Sequence, residues 1–208
     1  MDALLLVDIQ VDFLPGGALP VTDGDAVVPV ANALQPLFPL VIASQDWHPR
    51  DHVSFAVNHP GKRPGDVVVV DGVEQVLWPV HCVQHTPGAA FAPGLKTERI
   101  AHVVHKGTDP RIDSYSAFHD NARRRDTGLR SWLRARGVDA LYVLGLATDY
   151  CVQFTVLDAL DAGFATTLVA DGCRGVDRKP GDVTAAIARM REAGARIATS
   201  AEVAAARR

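Results

Sequence analysis

Short runs rich in Val, Leu and Ile recur at residues 3–7, 40–43, 102–105, 140–146 and 166–170, with a weaker one at 196–199. Each is almost continuously apolar instead of alternating, the pattern of strands covered on both faces of a parallel sheet. The segments 25–38, 128–136, 149–162 and 182–193 can each hold a helix, and Gly137 and Gly163 stand where the second and third end, as glycine often does. Alternation of this kind predicts an α/β fold, a three-layer α/β/α arrangement around a six-stranded parallel sheet.

One interval breaks the rhythm. Residues 47–96 are rich in Pro, Gly and His, and only 67–71 reads as a short strand. Long irregular segments in compact domains are usually functional. No repeat or linker divides the chain, so 1–208 is expected to be one domain, with an elaborated loop region at about 46–96.

Composition narrows the class. At 208 residues the chain has room for one substantial core, and its 48% apolar and 22% charged residues are ordinary for a globular protein. With 21 basic against 24 acidic residues, a net charge of −3 carries no polyanion-binding footprint, so nucleic acid is not an expected partner. The start, MDALLLVDIQVDFL, has an acidic residue at position 2 and an apolar run interrupted by Asp8, which is not a signal peptide. No apolar stretch reaches the ~20 residues of a membrane span. Three cysteines, Cys82, Cys151 and Cys173, form no CxxC pair, which argues against a disulfide framework and for a reducing compartment. A cytoplasmic protein, monomeric or a small homo-oligomer, is the expectation.

Ligands of open parallel sheets bind outside the carboxyl ends of the strands. There the chain places Asp8 after the first run, Asp46-Trp47-His48 after the second, Lys106 after the third and Ala147-Thr148-Asp149-Tyr150-Cys151 after the fourth. Singly, each has an ordinary explanation: a turn aspartate, a solvated lysine, a buried thiol. Together they make chemical sense. A thiol must lose its proton to become a good nucleophile. Cys151 in the first turn of the 149–162 helix would feel the positive end of the helix dipole. Lys106 adds positive charge, and Asp8 can take the proton and later deliver it to a leaving amine.

The stretch VLGLATDYCV at 143–152 resembles the nucleophile loop of the isochorismatase-like cysteine hydrolases, and within them that of the nicotinamidases, also called pyrazinamidases. Further blocks follow in the family's order: LLVDIQVDF at 5–13, SQDWHP at 44–49, WPVHCV at 78–83, KG at 106–107, YSAF at 115–118 and DGCRGV at 171–176. The resemblance implies a catalytic triad of Asp8, Lys106 and Cys151, metal ligands Asp46, His48 and His81, and an aromatic enclosure of Phe13, Trp78 and Tyr115 around the substrate ring. It also implies an oxyanion hole from the backbone N–H groups of Ala147 and Cys151, with a cis peptide between Leu146 and Ala147. Val11 departs from the family, which often has Asn there, so a hydrogen bond near Asp8 or the substrate is expected to be missing. Arg111, in a segment of variable length, receives no role.

On its own chemistry, one carboxylate with two imidazoles suits Zn²⁺, Fe²⁺ or Mn²⁺, zinc being the first choice. Five of the eight histidines (His48, His52, His59, His81 and His85) fall in the irregular interval. His52 is the candidate for a fourth ligand; His59 and His85 are unassigned. Cys82 follows a ligand directly, but neighbours in an extended segment point opposite ways, so it is expected to be buried.

The expected function is a metal-dependent amidohydrolase that converts nicotinamide to nicotinate and ammonia, and pyrazinamide to pyrazinoate, through a thioester. It would serve NAD salvage. The alternatives are an amidase of the same superfamily acting on a carbamoyl or ureido substrate, an isochorismatase proper, a redox-responsive thiol protein, and a non-catalytic metal-binding protein. Trp78, His48 and His81 speak against the first, and the combination of Asp8, Lys106 and a thiol against the others.

Overall fold

A computed structural model describes residues 1–207. Six strands form one parallel sheet: β1 (Asp2–Val7), β2 (Val41–Asp46), β5 (Ile100–Lys106), β6 (Ala140–Leu146), β7 (Ala165–Arg174) and β8 (Arg196–Ala198). Their order is β5-β2-β1-β6-β7-β8, and every pairing is parallel. The central strand β1, DALLLV, has five consecutive buried residues, as strands covered on both faces require.

Topology fixes the layers. From β1 the chain steps one way along the sheet through α1 (Val27–Leu34) to β2, whereas from β6 it steps the other way through α3 (Gln153–Asp161) to β7. Right-handed crossovers in opposite directions put their helices on opposite faces. Accordingly α1 packs with α5 (Ser200–Ala205), and α3 packs with α4 (Asp182–Glu192). The remaining helix, α2 (Leu129–Arg134), lies in the β5-to-β6 crossover. The expected α/β/α sandwich with six parallel strands is what forms. The order reverses between β1 and β6, and such a switch point opens a crevice at the carboxyl ends.

Several bounds differ from the pattern-based expectation, each for a local reason. β2 runs three residues past its apolar run, through Ser44, Gln45 and Asp46, all buried although polar. The first predicted helix is trimmed to α1 and flanked by 3-10 turns at Gly24–Ala26 and Gln35–Leu37, the second holding Pro36. The predicted 149–162 helix begins at Gln153; residues Thr148–Val152 form a wider π turn in which Tyr150 is not helical (φ −127°, ψ −106°). Two elements were not foreseen. Strand β4 (Val73–Val76), masked by its Glu and Gln, pairs antiparallel with β3 (Val67–Val70) across Asp71-Gly72. Both turn residues have positive φ (50° and 81°), the requirement of a type I′ hairpin. Helix α5 starts on a capping box, with Thr199 and Glu202 each bonding the other's backbone.

Gly145 pairs with Val7 where β6 runs beside β1. Its φ is 132°, and a Cβ there would overlap the carbonyl oxygen of Val7. Substitution combines backbone strain of about 1–3 kcal/mol with that overlap. Gly145→Ala is therefore expected to lower the unfolding midpoint by several degrees, at about 2–4 °C per kcal/mol for a chain of this size, in a thermal melt followed by circular dichroism. An unchanged midpoint would show that the β1–β6 contact relaxes freely.

Candidate active site and metal centre

The structure gathers the strand-end residues at the switch point. Asp8 follows β1 in a left-handed conformation (φ 48°), Asp46 ends β2, Lys106 ends β5, and Cys151 lies five residues beyond the end of β6. All four are buried, Asp8 completely. The Lys106 ammonium is 2.8 Å from Asp8 Oδ2 and 3.3 Å from the Cys151 sulfur, and it also contacts Asp46 Oδ1. It donates to the carbonyl oxygen of Ser114 at 3.0 Å. The Ser44 hydroxyl donates to Asp8 Oδ1 at 2.7 Å. Asp8 thus has a hydrogen bond from β2, and Val11 opens the 3-10 turn Val11–Phe13.

Electrostatics follow from burial and pairing. Burial alone would depress Lys106, yet Asp46 and Asp8, followed by Cys151, hold it well above the ordinary lysine value. Asp46, despite burial, is held well below the usual carboxylate range by Lys106 and His48. Asp8 moves the other way: burial raises it, Lys106 opposes, and Asp46 adds to the rise. Burial also pushes the Cys151 thiol well up, against the pull of Lys106. The expected depression by a helix dipole is thus not the governing effect, because the sulfur lies ahead of α3 and out of water.

Asp46, His48 and His81 converge. The Nε2 atoms of His48 and His81 are 3.6 and 3.7 Å from the same Asp46 oxygen, Oδ2. Each ring's other nitrogen faces a backbone carbonyl: His48 Nδ1 meets Gly107 O at 2.9 Å, and His81 Nδ1 meets Pro79 O at 2.7 Å. A carbonyl can only accept, so Nδ1 carries a proton in each ring, and Nε2 is the atom each would offer to a cation. Two ligands ~2.1 Å from a tetrahedral ion are about 3.4 Å apart, so the donor set fits a divalent cation. His52 stands apart from this trio. Its ring lies tilted against that of His48 (centroids 4.1 Å, 32° between planes), with Nδ1 2.7 Å from the Ser54 hydroxyl and Nε2 3.3 Å from Ile112 O. Both its nitrogens thus have other partners, and burial pushes its pKa down to about 4. As expected, Cys82 is wholly buried. Arg111 pairs with Asp109 at the surface.

A cavity of about 440 Å³, counting its open mouth, lies between the metal trio and Cys151. Phe13, Trp78, Tyr115 and Ala147 line it, so the aromatic residues picked from sequence share one wall space with the thiol. Tyr150, Asp113 and Val21 line it as well and were not anticipated. Tyr150 packs edge-on against Trp78 (4.9 Å) and Tyr115 (5.4 Å), and Trp78 Nε1 donates to the Tyr115 hydroxyl at 3.3 Å. Its position beside Cys151 was the available signal. The Leu146–Ala147 peptide is cis. Asp149 accepts from the N–H groups of Val176 (2.9 Å) and Asp177 (2.8 Å), fastening the nucleophile turn to the segment after β7.

The isochorismatase domain family matches residues 2–202. This chain belongs to that family. It is 52% identical to a nicotinamidase of Escherichia coli strain K12, covering 96% of this chain and 95% of the relative. Among solved structures it superposes on an Acinetobacter baumanii nicotinamidase/pyrazinamidase with a TM-score of 0.94, at 43% identity and 97% coverage of each chain. A pyrazinamidase of Pyrococcus horikoshii, solved in complex with zinc, matches at a TM-score of 0.78 and 38% identity, over 95% of this chain and 98% of that one. Among the described residues, no helix is long and apolar enough to cross a membrane.

Gly107 offers a test of the metal centre that leaves every donor in place. Its φ is 63°, and a Cβ there would overlap the His48 ring, whose Nδ1 it anchors. Gly107→Ala is expected to weaken metal retention by about ten- to a hundredfold, the usual cost of disturbing a ligand's outer support, as measured by metal content after dialysis against a graded chelator series. Full retention would place the metal elsewhere.

Proposed function

We propose that this protein is a metal-dependent cysteine amidohydrolase that converts nicotinamide to nicotinate and ammonia, and pyrazinamide to pyrazinoate, in NAD salvage. The observation that carries the reading is a buried thiol with Lys106 at 3.3 Å and Asp8 paired to that lysine, facing an aromatic-walled cavity whose far side holds the Asp46, His48 and His81 donors. Kinship with nicotinamidases over nearly the whole chain supports the same substrate class.

The aromatic walls take the substrate ring, with Phe13 and Trp78 enclosing it and Tyr115 bracing Trp78. Asp46, His48 and His81 would hold a divalent ion, zinc in the first instance and iron or manganese as alternatives, which would supply a Lewis-acid anchor for the pyridine nitrogen of the ring. Asp8 accepts the thiol proton as the Cys151 sulfur attacks the amide carbon, and the negative charge moves to the carbonyl oxygen. The N–H groups of Ala147 and Cys151 hold that oxyanion. As the tetrahedral species collapses, the C–N bond breaks, and Asp8 passes its proton to the leaving nitrogen, releasing ammonia and leaving a thioester. Asp8 then takes a proton from water as the water oxygen attacks the thioester carbon. Collapse breaks the C–S bond, frees the acid and returns the proton to sulfur. Lys106 stays charged throughout and stabilises negative charge on sulfur and on Asp8.

Three unpaired, buried cysteines suit a reducing compartment, and the cytoplasm is the proposed location. A small amide is the proposed partner, with neither nucleic acid nor membrane involved.

Ammonia release from nicotinamide is the direct assay. Cys151→Ala is expected to bring turnover to background while bound metal stays at the wild-type level, because the thiol is not among the three donors. Chelator treatment of the wild type is expected to abolish release, and added Zn²⁺ to restore it. Substantial turnover by Cys151→Ala would overturn the covalent route. No release from the metal-restored wild type would redirect the search to carbamoyl and ureido substrates.

A further inference from the structure

The turn after β1 does more than supply Asp8. Gln10 is fully buried, and every polar atom of its amide is engaged across the fold. Its Nε2 donates to the carbonyl oxygens of Asp46 and Ala89, each at 2.9 Å, and its Oε1 accepts the N–H of Asp46 at 2.8 Å. Both backbone groups of Asp46 are therefore held by one side chain from a strand-end turn 36 residues away in sequence.

Two positions further on, Asp12 does the same for the segment of another donor. Its Oδ2 accepts the N–H of Cys82 at 2.7 Å, and its Oδ1 accepts that of Ala18 at 3.3 Å. Cys82 has a left-handed backbone (φ 43°), a conformation that costs energy in a non-glycine residue and persists only when its surroundings impose it. It directly follows His81. The space around Asp12 is closed: a Cβ on Gly88 would overlap its carboxylate, and one on Gly17 would overlap its carbonyl. Phe13, next in the turn, places its ring 5.6 Å from that of His81.

We propose that Gln10 and Asp12 are positioning residues that fix the metal donors Asp46 and His81 to the turn carrying Asp8. The placement of those two donors relative to the proton acceptor Asp8 is then set by residues 8–12. The proposal rests on the assignment of Asp46, His48 and His81 as metal donors. Asp46 and His81 belong to different segments, which meet at His48 through backbone bonds (His48 N–H to Cys82 O, 3.0 Å; Gln84 N–H to His48 O, 2.9 Å), but neither bond ties them to the turn that carries Asp8. Gln10 and Asp12 do, through charge-assisted or paired hydrogen bonds in a buried setting, where such bonds are strongest.

Cobalt(II), whose visible absorption reports coordination geometry, provides a readout independent of turnover. Binding is titrated into chelator-stripped wild type, Gln10→Leu, Asp12→Ala, Asp12→Asn and His48→Ala, with thermal midpoints taken on the stripped proteins. Gln10→Leu and Asp12→Ala are expected to bind cobalt about ten- to a hundredfold more weakly and with an altered spectrum. Asp12→Asn, which keeps an acceptor for the Cys82 N–H, is expected to recover most of the affinity and the spectrum. Variants that match the wild type in affinity and spectrum, with only a lowered midpoint, overturn the positioning role while leaving the metal assignment intact. A wild type that binds cobalt no better than His48→Ala overturns the metal assignment and this proposal with it. Asp12→Asn, a near-isosteric change, keeps the question answerable where Asp12→Ala fails to fold.

Discussion

The ammonium of Lys106 is the point on which the site turns. A lysine with 1% exposure has lost nearly all its hydration, a cost of several kcal/mol that only close opposite charge and well-placed acceptors offset. Asp8, Asp46, the Cys151 sulfur and the Ser114 carbonyl oxygen all lie around it. These partners sit at the ends of β1 and β2, in the turn after β6 and in the segment after β5. The charge can be satisfied only where those ends meet. Removing any carboxylate would leave a buried positive charge short of compensation, so the geometry of the strands and the electrostatics of the site constrain each other.

That shared cation also joins two centres that are separable on paper. One is the thiol with its proton acceptor; the other is the carboxylate with two imidazoles. Asp46 faces both, offering Oδ1 to Lys106 and Oδ2 to the two Nε2 atoms. The cavity lies between them with aromatic walls, so a flat ring with a donor nitrogen at one end and a carboxamide at the other matches its poles. Trp78, Tyr115 and Tyr150 pack edge-on or bond to one another, and such contacts hold ring orientations that burial alone leaves loose.

Much of this could be read from the residues. Continuous apolar runs gave the parallel sheet because strands covered on both faces leave no alternation to read, and polar residues just beyond the runs marked the carboxyl edge. What escaped has physical reasons. Ser44, Gln45 and Asp46 continue β2 as buried polar residues; a pattern method ends the strand there because it cannot see the partners that make burial tolerable. Strand β4 reads as polar because its turn and pairing, not its apolarity, hold it in place. The Thr199–Glu202 capping box was visible in sequence, but the helix it starts is only six residues long and gives too little periodicity to register. For His52, the family's use of a His near this position suggested a fourth ligand; its nitrogens face Ser54 and Ile112, and with His48 and Asp113 it forms a donor group separate from the Asp46, His48 and His81 trio. Gln10 and Asp12 carry no chemistry at their own positions; their importance is long-range and emerges only when β2 and the His81 segment are placed beside them.

The source of nucleophilicity is where sequence and structure lead to different physics. A cysteine at a helix start is expected to rest as a thiolate. Here the sulfur precedes α3 in a π turn interrupted by Tyr150, is 6% exposed, and has two carboxylates nearby, so burial and charge favour the thiol over the isolated anion. Lys106 opposes this but shares its charge with Asp8 and Asp46. Asp8 is itself raised by burial, which makes it a better proton acceptor than an ordinary carboxylate. Because burial raises the proton affinity of sulfur, the proton leaves it as the new C–S bond forms, and the raised Asp8 takes it up and later returns it to the leaving nitrogen. Deprotonation then belongs to the attack itself, with Lys106 stabilising whichever partner carries the negative charge.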